Sequence, residues 1–217
     1  MNCCVGVVLA AEKKETNSSG VSMFIPTNES GKLYKLDDHI ICSVSGITAD
    51  ASILVDMARL ASKRHTYMQK TPIYVEEVVK NLANYKHTYT QYGSSRPFGV
   101  ALMYAGYDTT CGFQLYSSDP SGNYAAWKAH ATGKNNVNAV STLKEDYVEN
   151  MTLNEGVVMA AKILGKSMDM NKPDSNRFEI GVITLDENKK VVQKRVEGAE
   201  LDKVLADAKV FDNMDKK

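Results

Sequence analysis

The sequence predicts an α+β protein whose fold is a four-layer αββα sandwich of two antiparallel sheets. The first observation is the order of the hydrophobic patterns, which runs through strands, two helices, strands, two helices, a hairpin and a last helix. The second is the shortness of the turns between strands, which indicates antiparallel pairing. The third is that helices come in pairs between sheet segments, so they must cover the sheet faces.

Length and composition favour a single domain. A chain of 217 residues with 43% hydrophobic residues can bury most of its apolar surface in one core, so residues 1–217 are expected to form one domain. The 26 basic and 26 acidic residues cancel, and a neutral chain has no long-range attraction to nucleic acid or an anionic membrane. The sequence therefore predicts neither of these partners.

The cysteines and the first apolar run indicate in which cellular compartment the protein is found. Four cysteines show no paired spacing of the zinc type, which favours reduced intracellular thiols. The apolar run near the start of the chain has no basic residues before it and is short for a spanning helix. We therefore expect the protein in the cytoplasm and the nucleus.

Strands dominate the beginning of the chain. A high density of β-branched residues predicts a buried strand at 5–11, and a short strand is expected at 21–26 within a polar stretch. Two further strands are expected at 33–36 and 39–44. The pair Asp37-Asp38 favours a turn between them.

The pattern changes to a helical period after the fourth of these strands. Thr48 is the expected cap of a first helix, and Thr71-Pro72 is the expected opening of a second, which ends at Gly93. The first helix is expected to bury Ile53, Met57, Leu60, Ala61 and Arg64. The second is expected to bury Val75, Val78, Val79, Leu82 and Tyr89.

A hairpin occupies the centre of the sequence. A strand at 100–107 and a turn at 108–112 lead into it, and its own strands are expected at 113–117 and 124–131. Asp119-Pro-Ser-Gly122 supplies the turn: Asp can accept hydrogen bonds from backbone amides, Pro presets φ, and Gly fits the last position.

The second half of the chain returns to helices and ends on a hairpin and a helix. A helix at 136–147 is expected to bury Val140, Leu143 and Tyr147. The next begins with the capping box Thr152-Leu-Asn-Glu155 and is expected to bury Val157, Ala161, Leu164 and Met168. The remaining expectations are a loop at 172–176, strands at 178–186 and 191–196, a helix at 200–209 with Leu201, Val204, Leu205 and Ala208 inward, and a disordered tail at 213–217.

Few residues are candidates for chemistry. An amidase that uses its own free α-amino group as base needs Thr, Ser or Cys at the first position, but the chain starts with Met1 and Asn2. Cys3 could serve only if two residues were removed. The four histidines are scattered without ligand spacing, so no metal site is expected.

An ordered series of motifs resembles the alpha-type subunits of the proteasome core particle, over about residues 5–209. The motifs are Tyr89-Thr-Gln-Tyr-Gly93, Arg96-Pro-Phe-Gly-Val100, Gly112-Phe-Gln-Leu-Tyr116, Asp119-Pro-Ser-Gly122 and Trp127-Lys-Ala129. The αββα order is that of N-terminal nucleophile hydrolases, to which these subunits belong. The resemblance implies a non-catalytic subunit without cofactors, in a protease whose activity resides in beta subunits.

The resemblance also implies partners. They are the neighbouring alpha subunits of a heptameric outer ring, the beta subunits beneath it, and the tails of regulatory-particle ATPases or other activators. The ring controls substrate entry in ubiquitin-dependent degradation. Alpha subunits normally begin with a gating tail, a helix and a first strand, whereas this sequence starts within what would be the second strand. We therefore expect an N-terminally truncated form of the domain.

Lys32 is the candidate binding residue that the resemblance implies. The matching lysine of alpha subunits faces a pocket between neighbours and binds the C-terminal carboxylate of an activator tail. Gly46 and Ile47 are expected to complete the site, because an ammonium group and backbone donors can converge on a carboxylate. Glu12 stands where catalytic beta subunits have an Asp, but it is expected only to end a strand.

Two other functions remain open at this point. The first is a free-standing amidase or peptidase of the same fold that uses Cys3 after processing. The second is an interaction module or assembly intermediate that cannot enter a complete ring because its first helix is missing. Loss of that helix would remove buried interface and weaken assembly.

Overall fold

A computed structural model of the chain describes residues 6–13, 31–93, 95–149, 151–168 and 177–208. It confirms the predicted αββα sandwich. The described strands are β1 Gly6–Glu12, β2 Leu33–Asp37, β3 Ile40–Gly46, β4 Val100–Asp108, β5 Gly112–Ser118, β6 Tyr124–Trp127, β7 Phe178–Leu185 and β8 Val191–Val196. The described helices are α1 Thr48–Gln69, α2 Val75–Gln91, α3 Asn136–Asp146, α4 Leu153–Ser167 and α5 Ala199–Asp207.

The strands form two antiparallel sheets. One sheet has the order β2-β3-β4-β5-β6 and the other has the order β1-β7-β8. The expected strand at 21–26, the loop at 172–176 and the tail at 213–217 lie outside the described residues. Within the described part, no helix combines the length and the apolar character that crossing a membrane requires.

Three buried apolar layers hold the sandwich together. The first lies between α1 and α2 and the five-stranded sheet, and it includes Leu54, Val78 and Tyr104. The second lies between the three-stranded sheet and helices α4 and α5. The third fills the space between the two sheets, where Ile41 and Ile183 are among its buried members. Strand alternation explains this arrangement, because successive side chains of one strand point to opposite faces.

Side chains cap the open edge of β2. A sheet edge exposes unpaired carbonyl groups, which can recruit other strands. Three side-chain donors occupy them, namely Arg195 Nη2 on Leu33 O at 2.8 Å, Arg59 Nε on Lys35 O at 2.9 Å and Gln193 Nε2 on Asp37 O at 2.7 Å. Two of these donors belong to β8, so the capping also ties the two sheets together along one side.

The turn chemistry of one motif and the cap chemistry of another are confirmed. The Asp119 carboxylate accepts from the amides of Ser121 at 2.9 Å and Asn123 at 3.1 Å, and Gly122 has φ of 88°. The capping box of α4 is present, with Thr152 N donating to Glu155 Oε2 at 2.7 Å and Glu155 N donating to the Thr152 hydroxyl. The second strand of the hairpin is shorter than predicted, because β6 ends at Trp127.

The predicted buried face of α1 is wrong. Ile53 is 51% exposed and Leu60 is 71% exposed, and the helix instead buries Asp50, Ala51, Leu54, Val55, Ala58 and Ser62. The physical reason is that small residues let the helix axis approach the sheet closely, while an ion pair draws Asp50 inward. Met57 packs partly against the core, whereas Arg64 is exposed.

Both predicted helix starts of the first half are wrong as well. Thr48 is the first helical residue, and the capping position falls on Ile47, which makes no side-chain cap. The second helix begins at Val75 rather than at Thr71-Pro72. Residues 72–74 stay outside it because Ile73 is buried in the core and its carbonyl accepts from His39 Nε2 at 2.6 Å.

The other helices bury most of the residues predicted for them. In α2 the four aliphatic residues are buried and Tyr89 is partly buried against the core. In α3 the buried residue is Ala139, while Val140, Leu143 and Tyr147 are half-buried. In the helices on the three-stranded sheet, Val157, Ala161, Met168, Leu201, Leu205 and Ala208 are buried, and Leu164 and Val204 are partly buried.

Lys86 is a fully buried lysine that the sequence did not mark. Its ammonium donates to Val100 O at 3.2 Å, to Ser118 Oγ at 2.8 Å and to Asp119 O at 3.3 Å. These bonds join α2 to the start of β4 and to the turn of the central hairpin. Burial lowers the pKa of Lys86 to about 8, because the charged form loses its hydration.

Replacing this lysine should change how stability depends on pH. Between pH 8 and 10.5 the unfolded chain binds a proton at this residue that the folded chain does not, so the free energy of unfolding rises with pH in that window. We expect a rise of about 3 kcal/mol in the native chain relative to Lys86→Met. Urea unfolding across this pH range measures it, and equal pH slopes for the two proteins would contradict it.

Candidate functional site

The three predicted binding residues lie at one end of the β2–β3 pair. Lys32 directly precedes β2, and its carbonyl accepts from Val44 N at 3.0 Å. Gly46 ends β3 and Ile47 precedes α1. The structure therefore brings Lys32, Gly46 and Ile47 into one region, as the prediction requires. Their role in binding stays a prediction.

Gly46 and Ile47 pack against the irregular segment that leads into β4. Gly46 has φ of 133°, and a side chain there would place its Cβ 2.2 Å from the carbonyl oxygen of Gly99. Ile47 N donates to that same oxygen at 2.9 Å, while the Ile47 side chain is 50% exposed. Only glycine permits this approach, since other residues rarely adopt such a backbone conformation.

A buried carboxylate fixes the same segment from the other side. The two oxygens of Asp50 each accept from Arg96 at 2.7 Å, and one also accepts from Gly99 N at 2.9 Å. The hydrogen bonds from Arg96 and, to a smaller extent, from Gly99 lower the pKa of Asp50 to about 2. Arg96 and Asp50 thus hold the segment before β4 in place. Sequence reasoning missed Asp50, because a lone Asp in a first helical turn is ordinary.

A second buried carboxylate holds the backbone at Lys32. Glu179 Oε2 accepts from Lys32 N at 2.7 Å and from Leu33 N at 3.2 Å, and Glu179 Oε1 lies 3.2 Å from Arg195 Nη1. Gly31 lies beside it, and a Cβ there would meet Glu179 Oε1 at 2.8 Å, so the carboxylate would have to shift. Sequence reasoning missed Glu179 and Arg195, whose only signal was the placement of charges within predicted strands.

The side chain of Lys32 carries the charge of the predicted site. It is half-buried, and its ammonium makes no hydrogen bond or ion pair with any residue that the structure describes. A lysine ammonium offers three donors on a flexible stem. A positive charge at Lys32 beside the Gly46–Ile47 backbone is the chemistry that the predicted anion site calls for, and the binding itself stays a prediction.

A third segment closes on this region. Gly133, in the connection from β6 to α3, has φ of 105°, and a side chain there would place its Cβ 2.9 Å from Ser45 Oγ. Ser45 precedes Gly46 on β3, so the connection passes beside the predicted site. The region is thus bordered by residues from three separate parts of the chain.

The remaining candidates are placed as follows. Glu12 ends β1 and pairs with Arg177 at 2.6 Å, which agrees with its reading as a charge at a strand end. Met1, Asn2 and Cys3 lie outside the described residues. Across the described ranges, no three His, Cys, Asp or Glu side chains come together as metal ligands would.

Comparison with known proteins identifies the class. The family model described as "Proteasome subunit" matches residues 1–183. The chain belongs to the proteasome subunit family. It is 46% identical over 187 residues to proteasome subunit alpha type-4-A of Arabidopsis thaliana, covering 86% of this chain and 73% of that protein.

Two further relatives are also named as alpha type-4 subunits. The chain is 45% identical to proteasome subunit alpha type-4 of Petunia hybrida, covering 85% of this chain and 72% of that protein. It is 44% identical to proteasome subunit alpha type-4 of Dictyostelium discoideum, covering 91% and 78%. Three stretches of the sequence favour alpha type 4 among alpha-type subunits, namely Gly112-Phe-Gln-Leu-Tyr116, Asn123-Tyr124 and Ser167-Met-Asp-Met-Asn-Lys172. The similarity to these relatives confirms that prediction.

The close contact at Gly46 predicts a sensitive position. Gly46→Ala should lower the free energy of unfolding by about 2 kcal/mol or more, because it adds backbone strain and forces Ile47 away from Gly99. Thermal unfolding monitored by circular dichroism measures the loss.

Gly93→Ala is the matched control for this change. The backbone of Gly93 is not in the left-handed region, and an added Cβ would meet no atom within 4 Å. If the two variants unfold at the same temperature, the close contact between Gly46 and Gly99 does not constrain the site.

Proposed function

We propose that this chain is a non-catalytic structural subunit of the alpha type in the proteasome core particle. The observation that carries the proposal is similarity to alpha type-4 subunits over more than four fifths of the chain. The described fold agrees with it, since the two sheets and their helix layers have the order expected for such a subunit. The relatives lend no support to the alternative of a free-standing amidase that uses Cys3.

The subunit has a structural role and does not itself cleave peptide bonds. It joins other alpha subunits in an outer heptameric ring, which stacks on beta subunits and controls entry of substrates in ubiquitin-dependent degradation. Peptide cleavage takes place on the beta subunits. The protein works where this particle works, in the cytoplasm and the nucleus.

An exposed apolar stripe on α1 is the surface that we assign to a contact within the particle. Ile53, Leu60 and Tyr67 are seven residues apart and are 51%, 71% and 77% exposed. Residues at this spacing share one side of a helix, and here that side points away from the sheet. Apolar side chains that share a helix face and remain in water favour burial against a partner.

The region of Lys32, Gly46 and Ile47 is the proposed docking site for an activator. The Lys32 ammonium, which has no partner within the described ranges, supplies a positive charge, and the half-exposed Ile47 supplies apolar contact. The C-terminal carboxylate of a regulatory-particle ATPase tail fits this chemistry, because a terminal carboxylate prefers charge-assisted donors.

The native size of the particle that contains this chain tests the proposal. A tagged copy, taken from gently lysed source cells, should co-sediment with beta subunits in a large complex that cleaves fluorogenic peptides. The isolated chain should have no peptidase activity. A lone chain in the gradient, or hydrolysis that persists after all beta subunits are removed, would overturn the proposal.

A charge in the α1 stripe should impair assembly. Leu60→Asp would bury an unpaired carboxylate in the contact, so we expect about tenfold or more less incorporation into the particle. Quantitative immunoblotting of gradient fractions measures the incorporated share.

Ser52→Asp is the control for the stripe. It adds the same charge at an exposed position of α1 that lies off the stripe. A carboxylate in the early part of a helix is also well tolerated by the helix dipole. Equal incorporation of both variants would show that the stripe is no contact surface.

A further inference from the structure

The Glu179 carboxylate lies beside the residue on which the proposed docking site depends. It accepts from the backbone amides of Lys32 and Leu33, and it pairs with the Arg195 guanidinium. The Glu179 side chain is 10% exposed, whereas that of Arg195 is 53% exposed. A buried anion is thus neutralised by a cation at the surface, which offsets its desolvation.

A carboxylate in this place could also capture the Lys32 ammonium. A lysine side chain is long and flexible. A carboxylate oxygen that accepts a hydrogen bond from the backbone amide of the same lysine therefore lies within reach of its ammonium group. Yet among the described residues the Lys32 ammonium has no partner. Glu179 therefore binds the backbone of Lys32 but not its charge.

Arg195 accounts for this difference. Its Nη1 lies 3.2 Å from Glu179 Oε1, and its Nη2 donates to Leu33 O at 2.8 Å. One planar guanidinium thus contacts both the carboxylate and the edge of β2, which a lysine ammonium could not do with the same geometry. Gly31 has no side chain to block Oε1, so this oxygen stays open to Arg195.

We propose that Arg195 is a positioning residue for the docking site. By occupying Glu179, it keeps that carboxylate off the Lys32 ammonium and leaves the ammonium available to the terminal carboxylate of an activator tail. This inference rests on the proposed role of Lys32 as the cation of the site. Without Arg195, Glu179 is a buried anion with Lys32 as a replacement partner, and the two carboxylates compete for one ammonium.

The test uses assembled core particles that carry variants of this chain. The probe is a fluorescein-labelled synthetic peptide with the C-terminal sequence of a regulatory-particle ATPase and a free carboxylate, measured by fluorescence anisotropy. The same peptide with a C-terminal amide is the control ligand. Arg195→Ala should weaken the carboxylate peptide about two- to fivefold, as expected for one exposed ion pair, and leave the amide peptide unchanged.

Glu179→Gln in the Arg195→Ala background separates this role from a structural one. The amide oxygen of Gln can still accept from the backbone at Lys32, but it carries no charge that competes for the ammonium. We expect the double variant to regain the native affinity. A structural role of Arg195 predicts no recovery, because Glu179→Gln does not restore the hydrogen bond from Arg195 to Leu33 O. Unchanged binding by Arg195→Ala, or a double variant that binds no more tightly than Arg195→Ala, would overturn the inference.

Lys32→Ala distinguishes failure of this inference from failure of the docking site. It should weaken the carboxylate peptide about tenfold or more and abolish its advantage over the amide peptide. If Lys32→Ala binds like the native particle, the docking site itself is wrong. If it binds weakly while Arg195→Ala does not, the role of Arg195 alone is wrong.

If the chain with Arg195→Ala is not incorporated into core particles, another single substitution still tests the inference. Glu179→Gln alone removes the competing charge and retains Arg195 at the β2 edge. It should bind the carboxylate peptide at least as tightly as the native particle. Weaker binding by this variant would contradict the proposed competition.

Discussion

The packing of the two sheets against each other is the constraint on which the rest of the structure depends. Their facing sides meet through buried apolar residues such as Leu9, Ile41 and Ile183. Once the sheets are stacked, β8 runs close enough to β2 for its side chains to cap the β2 carbonyls. Arg195 stands beside Lys32 for this reason, since sheet packing brings together residues that are far apart in sequence.

Two buried carboxylates shape the candidate site in the same physical way. Asp50 and Glu179 each accept from backbone amides near the end of the β2–β3 pair, and each is neutralised by an arginine that is more exposed. Charge-assisted hydrogen bonds of this kind are stronger than neutral ones, so they can hold irregular backbone in one conformation. The backbone of the candidate site is therefore held in place, while the Lys32 ammonium has no partner among the residues that the structure describes.

The distribution of small and large residues on α1 serves a protein that works through contacts. The helix buries Ala51, Ala58 and Ser62 and leaves Leu60 and Tyr67 in water. In an isolated protein this arrangement would forgo stabilisation, because burying a large apolar side chain stabilises the fold more than burying a small one. In the proposed subunit, one face of the helix packs within the chain and the other is left for a partner.

The sequence by itself determined the fold class, the order of the elements, the hairpin turn at Asp119 and the capping box at Thr152, since each depends on residues that are close together in the chain. It also carried the family resemblance, which was confirmed. Only the tertiary structure decided which face of α1 is buried, because Asp50 turns inward toward Arg96 across 46 positions. The same holds for Glu179 and Arg195, whose contacts with residues 32 and 33 span 146 positions or more. Periodicity reports which residues share a face, but only packing decides what that face meets.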